Sequence, residues 1–149
     1  MRAVIQRVAE ARVETQGKLL GSISRGLLVY LSVGTGDTEQ DAQFIADKLV
    51  NLRIFPDEAG KMNLSIRKVA GSVLIVSNFT LHGDCRKGRR PGFDAASEPQ
   101  MAERLYEKAV ELVGQQSVPV EKGGFGAYMQ VSSTNDGPVT FLLDSSRLF

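Results

Sequence analysis

The sequence predicts a mixed α/β fold in three layers, α/β/β, with two main helices on one side of a mixed sheet or roll. Three observations carry this. The first third alternates like strands, two stretches further on have helical spacing, and a strongly apolar run lies between those two stretches. Strand-only ends and a β-α-β-α middle imply hairpins at the termini and crossover connections between, so the expected order is β-hairpins, β, α, β, α, β-hairpin.

Each element has a local justification. "AVIQRV" (3 to 8) and the pair "ARVET" and "KLLGSI", joined at Gly17, alternate as strands. "GLLVYLSV" (26 to 33) is apolar at successive positions, the pattern of a central strand buried on both faces. "GTGDTEQ" lacks the third glycine of a dinucleotide loop and the Gly-Lys-Ser/Thr of a nucleotide loop, so it is a turn and helix cap. The first helix follows, capped by Asp37 or Thr38, with Ala42, Ile45, Leu49 and Leu52 on one face. "PDEAGKMNLSIRK" is irregular, and "GSVLIVSNFTL" (71 to 81) is a strand. The second helix opens at "SEPQ", where Ser97 and Gln100 have capping-box spacing and Pro99 falls in the first turn. Ala102, Leu105, Ala109 and Leu112 form its apolar stripe, and Gly114 ends it. "GAYMQVSST" and "VTFLLD" then read as two strands of a hairpin turning at Asn135-Asp136-Gly137.

The whole-chain quantities narrow the function classes. A length of 149 residues without repeat or linker fits one domain spanning 1–149. One cysteine (Cys85) and one histidine (His82) exclude an intramolecular disulfide and a zinc site built from Cys and His of one chain; no metal and no cofactor is expected. The chain carries no long apolar run and no cleavable leader pattern, which predicts a soluble cytoplasmic protein away from membranes. A net charge of +1 gives no global attraction to polyanions. Locally, however, "CRKGRRPGF" gathers Arg86, Lys87, Arg89 and Arg90 in five positions, without the interleaved aromatics of a base-stacking surface.

Side-chain catalysis is poorly served. Thr80, His82 and Asp84 share one face if residues 71 to 81 and their continuation are extended, yet parallel neighbours on a strand are poorly placed to relay a proton along the row. Cys85 beside His82 is a weak thiol pair. The alternative is that the backbone supplies the catalytic groups, because N–H groups after Ser77 can leave the ladder and form an oxyanion hole.

The chain resembles the D-aminoacyl-tRNA deacylases over nearly its full length. The resemblance rests on "QRV", "RIFPDEAGKMN", "VSNFTL" against the family's Ser-Gln-x-Thr signature, the basic loop with "RPGF", "FGAYMQV", and above all "NDGPVTF". It implies hydrolysis of the ester of D-aminoacyl-tRNA, and of glycyl-tRNA, as proofreading in translation, by a homodimer that receives the tRNA acceptor end. Gly137 and Pro138 would be joined by a cis bond and enter the partner subunit's site, where their carbonyls leave room for nothing larger than hydrogen on one side of the α-carbon. Ser77, Asn78, Phe79 and Thr80 would lie beneath the terminal adenosine and the ester. N–H groups near Phe79 and Thr80 would hold the oxyanion, and Thr80 would position substrate or attack it. Phe125 and Met129 would flank the adenine or aminoacyl pocket. Arg86, Lys87, Arg89 and Arg90 would touch phosphates, and the ribose hydroxyl of the substrate would assist water. Asn78 in place of the family's Gln, and Gly92 where Ser is common, depart from the pattern. Three other readings stay open: a non-catalytic RNA-binding homologue, a relative with a trans Gly-Pro bond and altered chirality preference, and a small-molecule esterase using Thr80, His82 and Asp84.

Overall fold

The computed structural model describes residues 1–148. Three strands come first: β1 (Arg2–Thr15), β2 (Lys18–Ile23) and β3 (Gly26–Ser32). Helix α1 (Glu39–Asn51) and the short pair β4 (Phe55–Pro56) and β5 (Met62–Leu64) follow. Strand β6 (Ser72–Ser77) leads into a 3-10 turn (Phe79–His82), then come helix α2 (Pro99–Gln115), β7 (Val120–Lys122) and β8 (Gln130–Asp144).

The main sheet runs β2-β1-β3-β6-β7, with β8 on the remaining edge of β1. β1 is antiparallel to β2, β3 and β8. β3, β6 and β7 are parallel, because each step between them is a crossover through a helix. The sheet curls almost shut: a Cβ on Gly21 of β2 would lie 3.1 Å from the Lys122 carbonyl of β7. A side chain there would be tighter than ordinary contact and would push the two strands apart by a few tenths of an ångström, so glycine suits the approach.

Burial explains the layers. On β3 and β6, Leu27, Val29, Leu31, Val73 and Ile75 face the helices in one core, while Leu28, Leu74 and Val76 face the roll interior with Val8 and Val13. The continuous apolar runs of β3 and β6 therefore fill both faces of a central pair, as their pattern predicts. Both helices pack on the first core. α1 contributes Ala42, Ile45 and Leu49, and α2 contributes Leu105, Tyr106, Ala109 and Val113. Thr38 caps α1 in a reciprocal arrangement, its N–H donating to Asp41 Oδ2 at 2.8 Å.

Three local expectations fail. The α2 cap position is Glu98, with Pro99 as the first helical residue and no side-chain cap; Ser97 instead donates its N–H to the Val33 carbonyl at 3.0 Å, tying the loop to the end of β3. The strand expected over 71 to 81 ends at Ser77, since the Asn78 N–H makes the last bond to β3, at Leu31 O (2.8 Å), before the chain coils into the 3-10 turn. The terminal hairpin does not form. Residues 130 to 144 run along β1 as one strand, and Gln6 pairs with Thr140 while Val8 pairs with Asn135. Residues 136 to 139 therefore bulge out opposite Arg7. Both flanks of the turn signal satisfy their ladders on a third strand, and Pro138, lacking an N–H, sits where no ladder bond is needed.

Candidate active site

Asn78 opens the site by leaving the β region (φ −148°, ψ 86°) and folding its side chain over the turn that follows. Its Oδ1 accepts from the Thr80 N–H at 3.2 Å and from Thr80 Oγ1 at 2.5 Å. Phe79 N–H is the first donor of the turn and has no acceptor among the described residues. Phe79 itself is 57% exposed, its ring packed edge-on against Phe93 with centroids 5.0 Å apart.

The exposed Phe79 is the wall between two cavities. One, of about 290 Å³, is largely apolar and is lined by Leu31, Val33, Ala102, Tyr106 and Phe125. The other, of about 440 Å³, is lined by Tyr30, Val76, Asn78, Thr80, Met129 and Val131. Ser77, Phe79 and Gly126 border both. The resemblance put Phe125 and Met129 beside the adenine or aminoacyl pocket; Phe125 lines the first cavity and Met129 the second. Sequence reasoning missed Tyr30, half-buried at the mouth of the roll, whose hydroxyl pKa is raised by burial. It also missed Tyr106, which donates to the Ile75 carbonyl at 2.9 Å and packs against Phe125. Burial pushes the Tyr106 hydroxyl pKa well up, so it remains a donor. Tyr30 lies inside an apolar strand and Tyr106 on a helical stripe, and in both places the pattern signals only core.

The side-chain triad does not assemble. The residues stand in and beyond a 3-10 turn and not along a strand: Thr80 is exposed and engaged by Asn78, whereas His82 is buried and turned to Ser32. Asp84 is held by Arg86 through Oδ2 to Nη2 (2.7 Å) and Oδ1 to Nε (2.9 Å). That hydrogen-bonded guanidinium holds the Asp84 carboxyl well below the usual carboxylate range. No cluster of three or more metal-ligating His, Cys, Asp or Glu occurs among the described residues.

The basic loop flanks the turn. Asp84 and Gly92 close it by a pair of backbone bonds, 2.7 and 2.9 Å. Arg86, Lys87, Arg89 and Arg90 are all exposed, and among the described residues only Arg86 is ion-paired.

Gly137 and Pro138 are exposed at the crest of the bulge in β8, and the bond between them is cis. Neither lines either cavity. The crest is braced from behind. Arg7 donates Nε to the Asp136 carbonyl (3.1 Å) and Nη1 to the Ile54 carbonyl (2.7 Å), and Asn135 Oδ1 accepts from the Val139 N–H (2.8 Å).

Comparisons with known proteins identify the family. A family model described as D-Tyr-tRNA(Tyr) deacylase matches residues 4–144. A D-aminoacyl-tRNA deacylase of Thermotoga petrophila is 56% identical over 149 residues, all of both chains. One of Geobacter sulfurreducens is 57% identical over 145 residues, 97% of this chain and 95% of its own. Among solved structures, a c-Myc DNA Unwinding Element Binding Protein superposes with a TM-score of 0.91 at 39% identity, over 97% of this chain and 98% of its own. A probable eukaryotic D-amino acid tRNA deacylase shares the fold, with a TM-score of 0.80 at 17% identity over 95% of this chain and 97% of its own. With the family model covering almost the whole chain and relatives identical at more than half of their positions, this protein belongs to the D-aminoacyl-tRNA deacylase family.

Proposed function

We propose that this chain hydrolyses the ester of D-aminoacyl-tRNA, and of glycyl-tRNA, as a proofreading step of translation, and that its working surface is main chain. The observation that carries the mechanism is the Phe79 N–H, which belongs to a residue bordering two cavities and has no acceptor and no nucleophile–base pair beside it among the described residues. Water adds to the acyl carbon, and the charge that develops on the carbonyl oxygen is held by this donor. The acyl–oxygen bond to the ribose breaks, the proton lost by water passes to the leaving ribose oxygen through the neighbouring ribose hydroxyl, and free D-amino acid and tRNA depart. Thr80 N–H joins the oxyanion hole when Asn78 Oδ1 yields to substrate. Thr80 Oγ1, already bonded to Asn78, orients substrate and does not attack. The apolar cavity, with its aromatic walls, suits the terminal adenine, and the cavity beside Thr80 and Met129 takes the aminoacyl end.

Chirality is read by a second copy. Gly137 and Pro138 stand away from the cavities of their own chain, so they reach a site only in a homodimer. Two features support such a dimer. Among the described residues β8 pairs only with β1 and leaves a long edge, and the same strand exposes Phe141 and Leu142, the latter 63% accessible. With amino group and ester carbonyl fixed, a rigid wall at the α-hydrogen rejects every L-residue and cannot reject glycine. A substrate of charged tRNA would be met in the cytoplasm, which is the location this reading implies; among the described residues no helix is long and apolar enough to cross a membrane.

The test is hydrolysis of D-tyrosyl-, L-tyrosyl- and glycyl-tRNA and of a free D-tyrosine ester, repeated as salt rises. D-tyrosyl- and glycyl-tRNA should be cleaved and the other two spared. Binding of tRNA without turnover would establish the non-catalytic reading, and equal cleavage of the free ester the esterase reading. Replacing Arg86, Lys87, Arg89 and Arg90 by Ala should flatten the log–log salt slope by about one unit for each phosphate no longer neutralised. An unchanged slope removes the loop from the tRNA interface.

A further inference from the structure

A polar pair buried beneath the site turn has no part in the chemistry above. Ser32, the last residue of β3, is 2% exposed, and His82, the last of the 3-10 turn, is 8% exposed. Ser32 Oγ lies 2.6 Å from His82 Nδ1 and 3.4 Å from the Phe79 carbonyl oxygen. A serine hydroxyl has one proton, so a single polarity satisfies both contacts: His82 Nδ1–H donates to Ser32 Oγ, and Ser32 O–H donates to the Phe79 carbonyl.

That carbonyl and the Thr80 N–H are opposite ends of one planar peptide. Holding the first fixes the direction of the second, and with it the angle between the Phe79 and Thr80 donors. The imidazole that anchors this chain has little freedom. A Cβ on Gly34 would come 2.7 Å from Nε2, so the Gly34 backbone lies directly against the ring edge. Arg2 Nη1 holds the adjoining Leu81 carbonyl at 3.1 Å, and the Phe93 ring closes the outer side of Phe79. Packing alone would be served by two apolar residues, which carry no desolvation cost. A directed donor chain ending on a site peptide is a more specific arrangement.

We propose that His82 is a positioning residue for ester cleavage, acting through Ser32 to hold the Phe79–Thr80 peptide so that its one N–H, that of Thr80, is set at the right angle to the adjoining Phe79 N–H for both to reach the ester oxygen. This rests on the reading that the turn performs the hydrolysis. His82 touches no substrate and moves no proton in the reaction.

The experiment is steady-state hydrolysis of D-tyrosyl-tRNA by His82→Leu, His82→Asn, Ser32→Ala and the Ser32→Ala/His82→Leu double variant, with melting temperatures measured in parallel. His82→Leu should lower kcat about tenfold and leave KM within about twofold, since a misaimed donor is lost mainly in the transition state. His82→Asn, whose amide N–H can stand near the Nδ1 position, should recover most of the loss. The double variant should be no slower than the slower single one, because both cut the same chain. A folded His82→Leu with unchanged kcat, Asn and Leu variants of equal activity, or losses that multiply would each overturn the proposal. If His82→Leu does not fold, Ser32→Ala decides by the same kcat criterion. A wild-type protein inert toward D-tyrosyl-tRNA overturns the function reading and this one with it, whereas an active wild type with unaffected variants overturns this one alone.

Discussion

The turn at Ser77–His82 and the crest at Asp136–Val139 do the same thing with opposite support. Each breaks a strand so that peptide groups face outward. The turn is held at several points by its own chain, through Ser32, His82, Arg2 and Phe93, and it stands between two cavities. The crest is held only from behind, by Arg7 and Asn135, and its outer side meets solvent. The first surface is finished within the protomer; the second, braced from a single side, is the one that the proposed homodimer would complete. Side chains thus brace the backbone in both regions, and in the proposed mechanism peptide groups hold the oxyanion and read chirality.

The sharpest way to break this comparison is Gly137→Ala. Gly137 has φ of +145°, and a Cβ there would lie 2.5 Å from Val139 Cγ2 and 2.8 Å from Val139 N. The crest must then move, and because small displacements of a positioning wall cost on the order of 100-fold in rate, D-tyrosyl-tRNA hydrolysis should fall about that much. The fold should lose only about 1–3 kcal/mol to local strain. Undiminished activity would mean that the crest is not a working surface.

A middle-sized effect is expected from Arg7→Met, which fills the volume but strands the buried Ile54 carbonyl and frees Asp136. Urea unfolding should show a loss of about 1–3 kcal/mol, and the preference for D- over L-tyrosyl-tRNA should narrow as the crest loosens. The comparison would need revision if stability fell with the D/L ratio intact, for then Arg7 would brace the fold and not the crest.

The smallest effect is a pH dependence confined to the turn. Burial, joined by Arg2 and the Met1 amino group, pushes the His82 pKa below its ordinary 6.5, while Asp37 and Asp144 oppose that shift. Above 6.5 the ring is neutral in both folded and unfolded chains and the stability is fully present. As pH falls through 6.5 the unfolded chain takes up a proton first, so stability declines until the folded-state value is passed. Melting temperatures between pH 7.5 and 5 should therefore fall more steeply for the wild type than for His82→Asn. Parallel curves would place the titration elsewhere.

Most of the framework is legible in the sequence because it is written in short-range periodicity. The two-sided apolar runs of β3 and β6 and the stripes Ala42-Ile45-Leu49 and Leu105-Ala109 need no knowledge of partners. Errors arise where partners matter. Asn135-Asp136-Gly137 carries a hairpin signal whether its flanks pair with each other or both with β1, and alternation along residues 130 to 144 is the same in either case. Thr80, His82 and Asp84 look like a row only while the strand is assumed to continue, but Asn78 coils the chain beneath them. Ser97 has the spacing of a cap, yet its N–H is drawn to Val33 by the sheet.

The amino-acid sequence by itself determined which stretches are strands and helices, that no side-chain nucleophile is well equipped, and that a glycine–proline pair near the end is the feature to explain. Only the tertiary structure decided that the Phe79 N–H is left without an acceptor among the described residues, that His82 faces Ser32 and not Thr80, and that β8 lies along β1 with its crest turned outward. The physical reason is range: propensity and periodicity act over a few neighbouring residues, whereas the choice of hydrogen-bond partner depends on how distant segments close the sheet.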